Sequence, residues 1–312
     1  MMGELMRRRH RLYIVCIIAA IAFLAVWDAD SGRALASGPY TLEPRQEVIG
    51  EPGLAYAQEN DTLLDIALDF DLGYNAIAAA NPGVDPWVPA PWQKVVLPSE
   101  WILPSAAHEG IVLNLAEMRL YYFYRSNGSD MVVTFPIGVG KDGFDTLLGE
   151  HRVVGKEKNP VWHPTAASKM ERPELPDAVP PGPDNPLGGY KLALNIPGYL
   201  LHGTNRPYGV GRRVSHGCIR LFPEDIAWLF DMVKEGTRVE VIYQPVKAAL
   251  VDGRLMVEVH DDYLHGADLM KLAMDEIRRA GYSGLRYSAA VEKAVEEKKG
   301  VPVDVTPDFT PE

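Results

Sequence analysis

Cysteine is nearly absent from this chain of 312 residues, which contains only Cys16 and Cys218. Two cysteines cannot build the disulfide framework of a small secreted domain or the paired Cys-x-x-Cys motifs of a structural zinc site. Cys16 lies in an apolar segment near the N-terminus, which leaves Cys218 as the one thiol further along the chain. The function of an isolated thiol is therefore the first question that the sequence raises.

Positive charge is also scarce, since 31 basic residues face 42 acidic ones and the net charge is −11. This balance favours a soluble protein and argues against nucleic acid as a partner. It provides no general attraction for an anionic polymer, so binding of one would require local basic groups.

Long hydrophobic runs are limited to one, Leu12–Trp27, which is shorter than the roughly 20 residues of a membrane-spanning helix. It follows four arginines and precedes the small residues Ala34–Ala36. This layout predicts a secretory signal peptide over residues 1–36, with an uncleaved inner-membrane anchor as the alternative. Removing that segment, with its five arginines and three acidic residues, would change the net charge from −11 to −13. In an oxidising compartment, a lone Cys218 is either chemically used or buried and inert.

The next part of the chain divides into three regions. Residues 37–53 are polar and predict a linker or an edge strand. Residues 54–100 predict a strand, two short helices and a strand, because apolar residues keep helical spacing until "NPG" stops the second helix. Residues 108–244 predict many short strands and one main helix, Pro223–Lys234, so the fold class is mainly β and sandwich-like.

Two segments remain. Residues 159–186 contain eight prolines between predicted strands and indicate a structureless loop that serves as a lid. Residues 245–300 predict a C-terminal extension, a hairpin followed by helices over 266–280 and 289–299, to which we assign no chemistry. Residues 301–312 are predicted to be disordered.

The candidate site lies between His202 and Cys218, which are separated by a loop rich in glycine and arginine. A thiol is a good nucleophile only as the thiolate, and an imidazole can accept its proton, so the pair is suited to acyl transfer. His216 could serve as the base instead, because residues two apart in an extended chain share a face. Zinc binding by these three residues is a further alternative, although no second ligand cluster accompanies them.

The segments "HGT" (202–204) and "SHGCIR" (215–220) resemble the catalytic signature of the YkuD-type L,D-transpeptidases. The resemblance continues upstream through "NLAEMRLYYF", "FPIGVG", "NPVWHPT" and "NPLGGY", and covers about residues 110–243. It implies a cofactor-free enzyme with no metal site that transfers peptidoglycan stem peptides through a cysteine thioester.

By position, the resemblance implies that Cys218 is the nucleophile and that His202 donates and accepts the proton. The Gly203 carbonyl would orient His202, the N–H groups of Gly217 and Cys218 would form the oxyanion hole, and His216 would support them. Substrate binding would fall to Arg220, Ser215, Thr204 and Arg213, with Arg212 as a weaker candidate. Stem carboxylates suit arginine, although Arg212 and Arg213 could equally belong to a solvated loop.

Residues 54–100 resemble a LysM module through "NDTLLDIA", "AANPGV" and "KVVLP". Asn60, where many LysM repeats have glycine, and the insert "DPWVPAPW" depart from that pattern, and a scaffold that only packs against its neighbour is the alternative. Trp87, Trp92 and Trp101 could stack on sugar or fill a domain junction. Most other histidines after the signal segment are assigned to the surface and His163 to the lid; they are His108, His151, His260 and His265.

Together the two modules resemble periplasmic enzymes of the ErfK/YbiS/YcfS/YnhG type in Gram-negative bacteria. The resemblance implies attack on the meso-diaminopimelate–D-alanine bond of a tetrapeptide stem and transfer to a second stem (a 3–3 cross-link) or to an outer-membrane lipoprotein lysine. It also implies acylation of Cys218 by carbapenems. The alternatives are an L,D-carboxypeptidase or amidase that uses water, and a non-catalytic peptidoglycan-binding protein.

Overall fold

The computed structural model describes residues 37–282 and 288–307. The predicted signal segment, with Cys16, lies outside the described residues. Within the described part, no helix is both long and apolar enough to cross a membrane.

The N-terminal region contains the strand–helix–helix–strand unit that the sequence predicts. Its elements are β1 (Tyr40–Leu42), β2 (Val48–Gly50), β3 (Gly53–Tyr56), α1 (Leu63–Asp69), α2 (Tyr74–Ala80), β4 (Lys94–Leu97) and β5 (Glu100–Ile102). Strand β3 pairs antiparallel with β4. Asn81 holds this βααβ unit together, because its amide donates to the carbonyl oxygens of Ile77 and Val96 at 2.8 Å each. The assignment of the unit to LysM stays a prediction.

The central region is a large sheet with one main helix, which confirms the predicted mainly β fold. Its elements are β6 (Gly110–Asn114), β7 (Arg119–Ser126), β8 (Ser129–Pro136), β9 (Val139–Gly140), β10 (Gly149–Lys158), α3 (Ala166–Glu171), β11 (Tyr190–Leu194), β12 (Leu200–His202), β13 (Arg213–Ser215), β14 (Ile219–Arg220), α4 (Pro223–Met232) and β15 (Arg238–Ile242). Nine strands pair in the order β1-β8-β7-β6-β15-β10-β11-β12-β14. Strand β1 is thus part of the sheet, so the edge-strand alternative is correct for Tyr40–Leu42 within residues 37–53.

Both faces of this sheet are covered, and the two-residue period of its strands divides the side chains between two cores. Ile111 and Leu113 of β6 pack with Ile226 of α4 in one core. Val112, which lies between them, packs in the other core with Leu63 of the βααβ unit. All five residues of β6 are therefore buried, which explains its continuous apolar sequence.

Residues 159–186 are not structureless, because they contain helix α3. Thr165 caps this helix, and its hydroxyl accepts the Ser168 N–H at 3.1 Å. At the other end of the loop, the Asn185 amide donates to the Pro160 carbonyl at 2.7 Å and closes its base. The six-residue α3 in a proline-rich segment is too short to show an apolar period, so the sequence did not predict it.

The C-terminal region contains β16 (Val246–Val251), β17 (Arg254–Val259), α5 (Leu269–Arg279), α6 (Ala289–Glu297) and β18 (Val303–Asp304). The predicted hairpin and both predicted helices are confirmed. Strand β18 pairs with Met256 and Val257 of β17, so the prediction of disorder from residue 301 is wrong for this strand. Its partner lies far away in the chain, and a two-residue strand carries no local pattern. Residues 308–312 lie outside the described part.

A buried polar cluster joins the C-terminal region to the sheet. The Nζ of Lys247 lies 2.6 Å from the carboxylate of Glu117 and 2.9 Å from that of Glu258, and it donates to the Ile102 carbonyl at 2.7 Å. His260 is also buried, with its Nε2 2.7 Å from Glu258, so its assignment to the surface is wrong. Only the fold brings these partners together, and no local pattern in the sequence indicates them.

Candidate active site

His202 and Cys218 are brought to one edge of the sheet by β12 and β14. Strand β12 ends at His202, and β14 begins directly after Cys218. The two strands pair in parallel, with Leu201 opposite Ile219 and His202 opposite Arg220. The connection between them therefore brings Cys218 back to the same pair of strands, two residues before the residue that faces His202.

The His202 imidazole is buried and neutral. His202 is 4% exposed, and its Nδ1 lies 2.6 Å from the carbonyl oxygen of Gly203. Burial and the charge of Arg220 lower the pKa of His202 to about 4, against an opposing effect of the Gly203 carbonyl. Because a carbonyl can only accept, Nδ1 carries the proton and Nε2 keeps its lone pair. This is the tautomer that a general base requires.

The Cys218 thiol is also neutral at rest. Its Sγ donates to the Gly198 carbonyl at 3.3 Å. Burial raises the pKa of Cys218, and the Leu200 backbone amide and the Arg220 charge only partly oppose that effect. At rest the site therefore contains a neutral thiol and a neutral imidazole, and a thiol that attacks a carbonyl has to pass its proton to a base.

Ser215 shapes the turn that presents Cys218. Its buried hydroxyl donates to the Cys218 carbonyl at 2.6 Å and accepts the Gly217 N–H at 3.1 Å. Gly217 has φ +101°, and a Cβ there would lie 3.1 Å from the ring of Tyr199. The turn therefore requires glycine at this position. The Gly217 N–H, predicted to face an oxyanion, is already bonded to Ser215 in this structure.

His216 interacts with the proline-rich segment 159–186, the predicted lid. Its Nε2 lies 3.0 Å from a carboxylate oxygen of Glu171 at the end of α3, and its ring packs edge-on against Phe144. Hydrogen bonds from Lys141 and His216 lower the pKa of Glu171 to about 2, so this carboxylate is ionised. To act as the base, His216 would have to use Nδ1, because its Nε2 is engaged by Glu171.

The zinc alternative is not supported by the geometry of the described residues. His202, His216 and Cys218 do not bring three ligand atoms within 4.8 Å of one another. The cluster that does so is formed by Glu117, Glu258 and His260. There, however, Lys247 Nζ lies between the two carboxylates.

The predicted substrate-binding residues differ in their availability. Thr204 is buried, and its hydroxyl accepts the Arg206 N–H at 2.9 Å, which shapes the loop after His202. Arg213 lies 3.1 Å from the carboxylate of Asp145 and stacks over Tyr263, so its charge is already paired. Arg220 forms no ion pair with a described carboxylate, and its buried Nε has no hydrogen-bond partner.

The βααβ unit contacts the loop between His202 and Cys218. The Asn75 N–H at the start of α2 donates to the Gly211 carbonyl at 3.1 Å. Gly73 and Gly211 pack so closely that a Cβ on Gly211 would lie 2.3 Å from the Tyr74 nitrogen. The guanidinium of Arg212 lies 5.0 Å from the centre of the Tyr74 ring. Arg212 thus supports the contact between the two parts.

The tryptophans separate into two groups. Trp101 is buried beneath the guanidinium of Arg119, so it fills a junction as the sequence allowed. Trp87 and Trp92 are 54% and 73% exposed, which leaves sugar stacking open for these two. Trp87 lies 6.2 Å from Tyr74, measured between ring centroids.

Sequence analysis missed three residues near the site: Glu171, Arg172 and Arg206. The first two lie at the end of α3, in the proline-rich lid, and Arg206 precedes a short 3-10 turn over Pro207–Gly209. The charged segment "KMERPE" within an otherwise proline-rich loop was the only available signal.

Comparisons with known proteins find relatives along most of the chain. The YkuD family model, which describes the L,D-transpeptidase catalytic domain, matches residues 108–241. The chain is 40% identical over 263 residues to "Probable L,D-transpeptidase YcfS" of Escherichia coli K12, which covers 79% of this chain and 82% of that protein. It is 37% identical over 283 residues to "Probable L,D-transpeptidase ErfK/SrfK" of Salmonella typhimurium LT2, which covers 86% and 91%.

Among solved structures, the catalytic domain of the E. faecium L,D-transpeptidase aligns with 24% identity and a TM-score of 0.34, over 45% of this chain and 100% of that one. The family match and the two relatives agree with the sequence motifs around His202 and Cys218. The protein therefore belongs to the YkuD family of L,D-transpeptidases.

Proposed function

We propose that the protein is an exported peptidoglycan L,D-transpeptidase whose nucleophile is Cys218. One observation carries this proposal: a neutral His202, oriented through the Gly203 carbonyl, lies at the sheet edge to which Cys218 returns. Family membership supports the reaction class, and the site supports the assignment of roles to these residues.

Acylation begins with attack of the Cys218 sulfur on the carbonyl of the third stem residue, meso-diaminopimelate. His202 Nε2 takes the thiol proton during the attack, and the Gly203 carbonyl stabilises the resulting imidazolium. The Cys218 N–H, which donates to no other described residue, can receive the charge that develops on the carbonyl oxygen. The Gly217 N–H could join it only by leaving the Ser215 hydroxyl.

The imidazolium then gives its Nε2 proton to the nitrogen of terminal D-alanine, the C–N bond breaks, and a thioester to Cys218 remains. An acceptor amine attacks this thioester while His202 takes one of its protons, which passes to the departing sulfur. The product is a new amide, and the thiol and neutral imidazole are restored. Neither step needs a cofactor.

The acceptor is the amine of a second stem or the lysine of an outer-membrane lipoprotein. Export through the N-terminal segment would place the enzyme in the periplasm, and the LysM-like βααβ unit would hold it on the glycan. A nucleophilic thiol in this position would also be acylated by carbapenems.

The test uses the chain from Ser37 to Glu312, tetrapeptide-rich sacculi and the C-terminal peptide of the lipoprotein, with Cys218→Ala in parallel. Digestion and mass spectrometry then identify the products. Stems joined through two diaminopimelates indicate cross-linking, and stem–lysine adducts indicate anchoring. Tripeptides alone would indicate an L,D-carboxypeptidase. Identical products from Cys218→Ala would contradict catalysis and favour a peptidoglycan-binding role.

A further inference from the structure

Three arginines whose charges interact have no carboxylate partner among the described residues: Arg172, Arg206 and Arg220. Arginines elsewhere are commonly paired with carboxylates, as shown by Arg125, Arg213, Arg238, Arg254, Arg278 and Arg279. Arg45, Arg119, Arg152 and Arg212 also form no ion pair with a described carboxylate. What distinguishes the present three is that the charges of Arg206 and Arg172 act on Arg220, which lies two residues after Cys218.

The three residues come from separate segments. Arg220 follows Cys218 by two residues in β14, and it is half-buried. Arg206 precedes the turn that ends at Gly209, where a Cβ would lie 3.6 Å from the Arg220 guanidinium. Arg172 directly follows α3, whose last residue, Glu171, lies against His216.

Glu171 forms no ion pair with these three arginines in the described structure. Its carboxylate accepts a hydrogen bond from the Nζ of Lys141 at 2.5 Å and lies 3.0 Å from the Nε2 of His216. These two residues are therefore its partners. The same contacts hold the end of α3 against the loop that carries Cys218, and so hold Arg172 near Arg220. The lid thus contributes one charge of the cluster.

A half-buried guanidinium beside two like charges is unfavourable unless an anion binds there. Burial lowers the pKa of Arg220, and the charges of Arg206 and Arg172 lower it further. The buried Nε of Arg220 also lacks a hydrogen-bond partner, which leaves a donor unsatisfied. A carboxylate would accept a hydrogen bond from this Nε–H and offset the repulsion among the three arginines. Charge-assisted hydrogen bonds to guanidinium are among the strongest in proteins.

We propose that Arg172, Arg206 and Arg220 form a carboxylate-binding subsite of the donor peptide, which is completed when the lid docks through Glu171. This inference rests on the proposed function for the identity of the donor. A stem tetrapeptide offers two candidate carboxylates near the scissile bond: the C-terminal one of D-alanine and the free one of diaminopimelate. Arg172 and Arg206 act here as specificity residues beyond the catalytic motif.

The first experiment measures the anion preference of the site without any peptide. The full chain is alkylated at one alkaline pH with iodoacetate or with neutral iodoacetamide, and the modification of Cys218 is quantified on the tryptic peptide Val214–Arg220. In Arg172→Gln and Arg206→Gln, we expect the rate with iodoacetate to fall about fivefold relative to that with iodoacetamide. The difference should shrink in high salt.

Arg254→Gln is the matched control, because it removes the same charge at an exposed position of β17. It should leave the ratio of the two rates unchanged. The iodoacetamide rate also reports whether each variant is folded around Cys218. If Arg172→Gln and Arg206→Gln match Arg254→Gln, or if both reagents slow equally, the subsite does not exist.

The second experiment uses three donor tetrapeptides: unmodified, amidated at the C-terminus, and amidated at diaminopimelate. We expect Arg172→Gln and Arg206→Gln to raise KM for the unmodified donor about fivefold while kcat changes little. One of the two amidated donors should have the same KM with the wild type and with the variants. The carboxylate that is amidated in that donor is the one that the arginines bind. Equal losses with all three donors would overturn the proposal. Absence of turnover by the wild type, with the alkylation preference intact, would contradict the transpeptidase function and leave the anion site.

Discussion

The Nδ1 atom of His202 lies 2.6 Å from the carbonyl oxygen of Gly203, the next residue in the chain. This contact fixes the tautomer of the imidazole and leaves Nε2 as the acceptor. In the proposed mechanism, this backbone carbonyl takes the place of the carboxylate in a protease triad, but without a negative charge. Since burial keeps His202 neutral, no thiolate–imidazolium pair is stabilised before substrate binds.

A first prediction concerns the ionisation of Cys218. Because its pKa is raised mainly by burial, the iodoacetamide rate at Cys218 should increase with pH through a midpoint above that of an ordinary thiol. The measurement is the pH profile of alkylation in folded protein, with urea-unfolded protein as the reference. A plateau that begins near neutral pH would instead reveal a preformed ion pair.

A second prediction concerns stability in acid. His202 has a pKa of about 4 when folded and 6.5 as its ordinary value, so the unfolded chain takes up a proton that the folded chain rejects. The contribution of His202 is fully present above pH 6.5 and is lost as pH falls towards 4, by about 3 kcal/mol in all. Urea unfolding of wild type and His202→Gln should show a steeper loss for wild type in this range. Parallel curves would show that folding does not lower the pKa of His202.

A third prediction tests the contact between the βααβ unit and the catalytic loop. Gly211→Ala places a Cβ 2.3 Å from the Tyr74 nitrogen, so we expect a loss of about 2–3 kcal/mol and slower alkylation of Cys218. Gly128→Ala is the control, because Gly128 also has positive φ but has no atom within 4 Å of its Cβ position. Equal effects of the two substitutions would attribute the loss to backbone strain alone.

A fourth prediction concerns the buried cluster around Lys247. Burial opposes its charge, but Glu117 and Glu258 outweigh that effect and raise the pKa of Lys247. Lys247→Met would leave two buried carboxylates without a cation, which costs about 3–5 kcal/mol. Unfolding by urea measures the loss, with the exposed Lys271→Met as the control. A change no larger than that of the control would show that the cluster contributes little to stability.

Patterns of neighbouring residues in the sequence predicted most helices and strands. The helical spacing and "NPG" stop identified α1 and α2, and β-branched residues identified the strands of the sheet. The prediction that His202 ends a strand is confirmed, whereas the two-residue strand after Cys218 was not predicted. Helix α3 and strand β18 were not predicted, because they have only six and two residues, respectively. Segments this short do not show a periodic pattern of apolar residues.

Interactions between distant segments could not be predicted in the same way. The burial of His260 depends on Glu258 and on Glu117, and the second of these lies in the turn between β6 and β7. The engagement of Arg213 by Asp145, and of the Gly217 N–H by Ser215, likewise appears only in three dimensions. These contacts changed which predicted site residues are available to bind a substrate.

The sequence by itself determined which residues are candidates for the chemistry, because the order His202–Gly203 and the run from Ser215 to Arg220 are local and need no knowledge of the fold. The tertiary structure decided their ionisation, since the pKa of a group depends on burial and on charges from other segments. It also decided which arginines remain unpaired. Arg213 pairs with Asp145, whereas Arg220 is exposed to the charges of Arg206 and Arg172. Charge pairing of this kind depends on segments that are distant in the sequence, so the sequence alone does not reveal it.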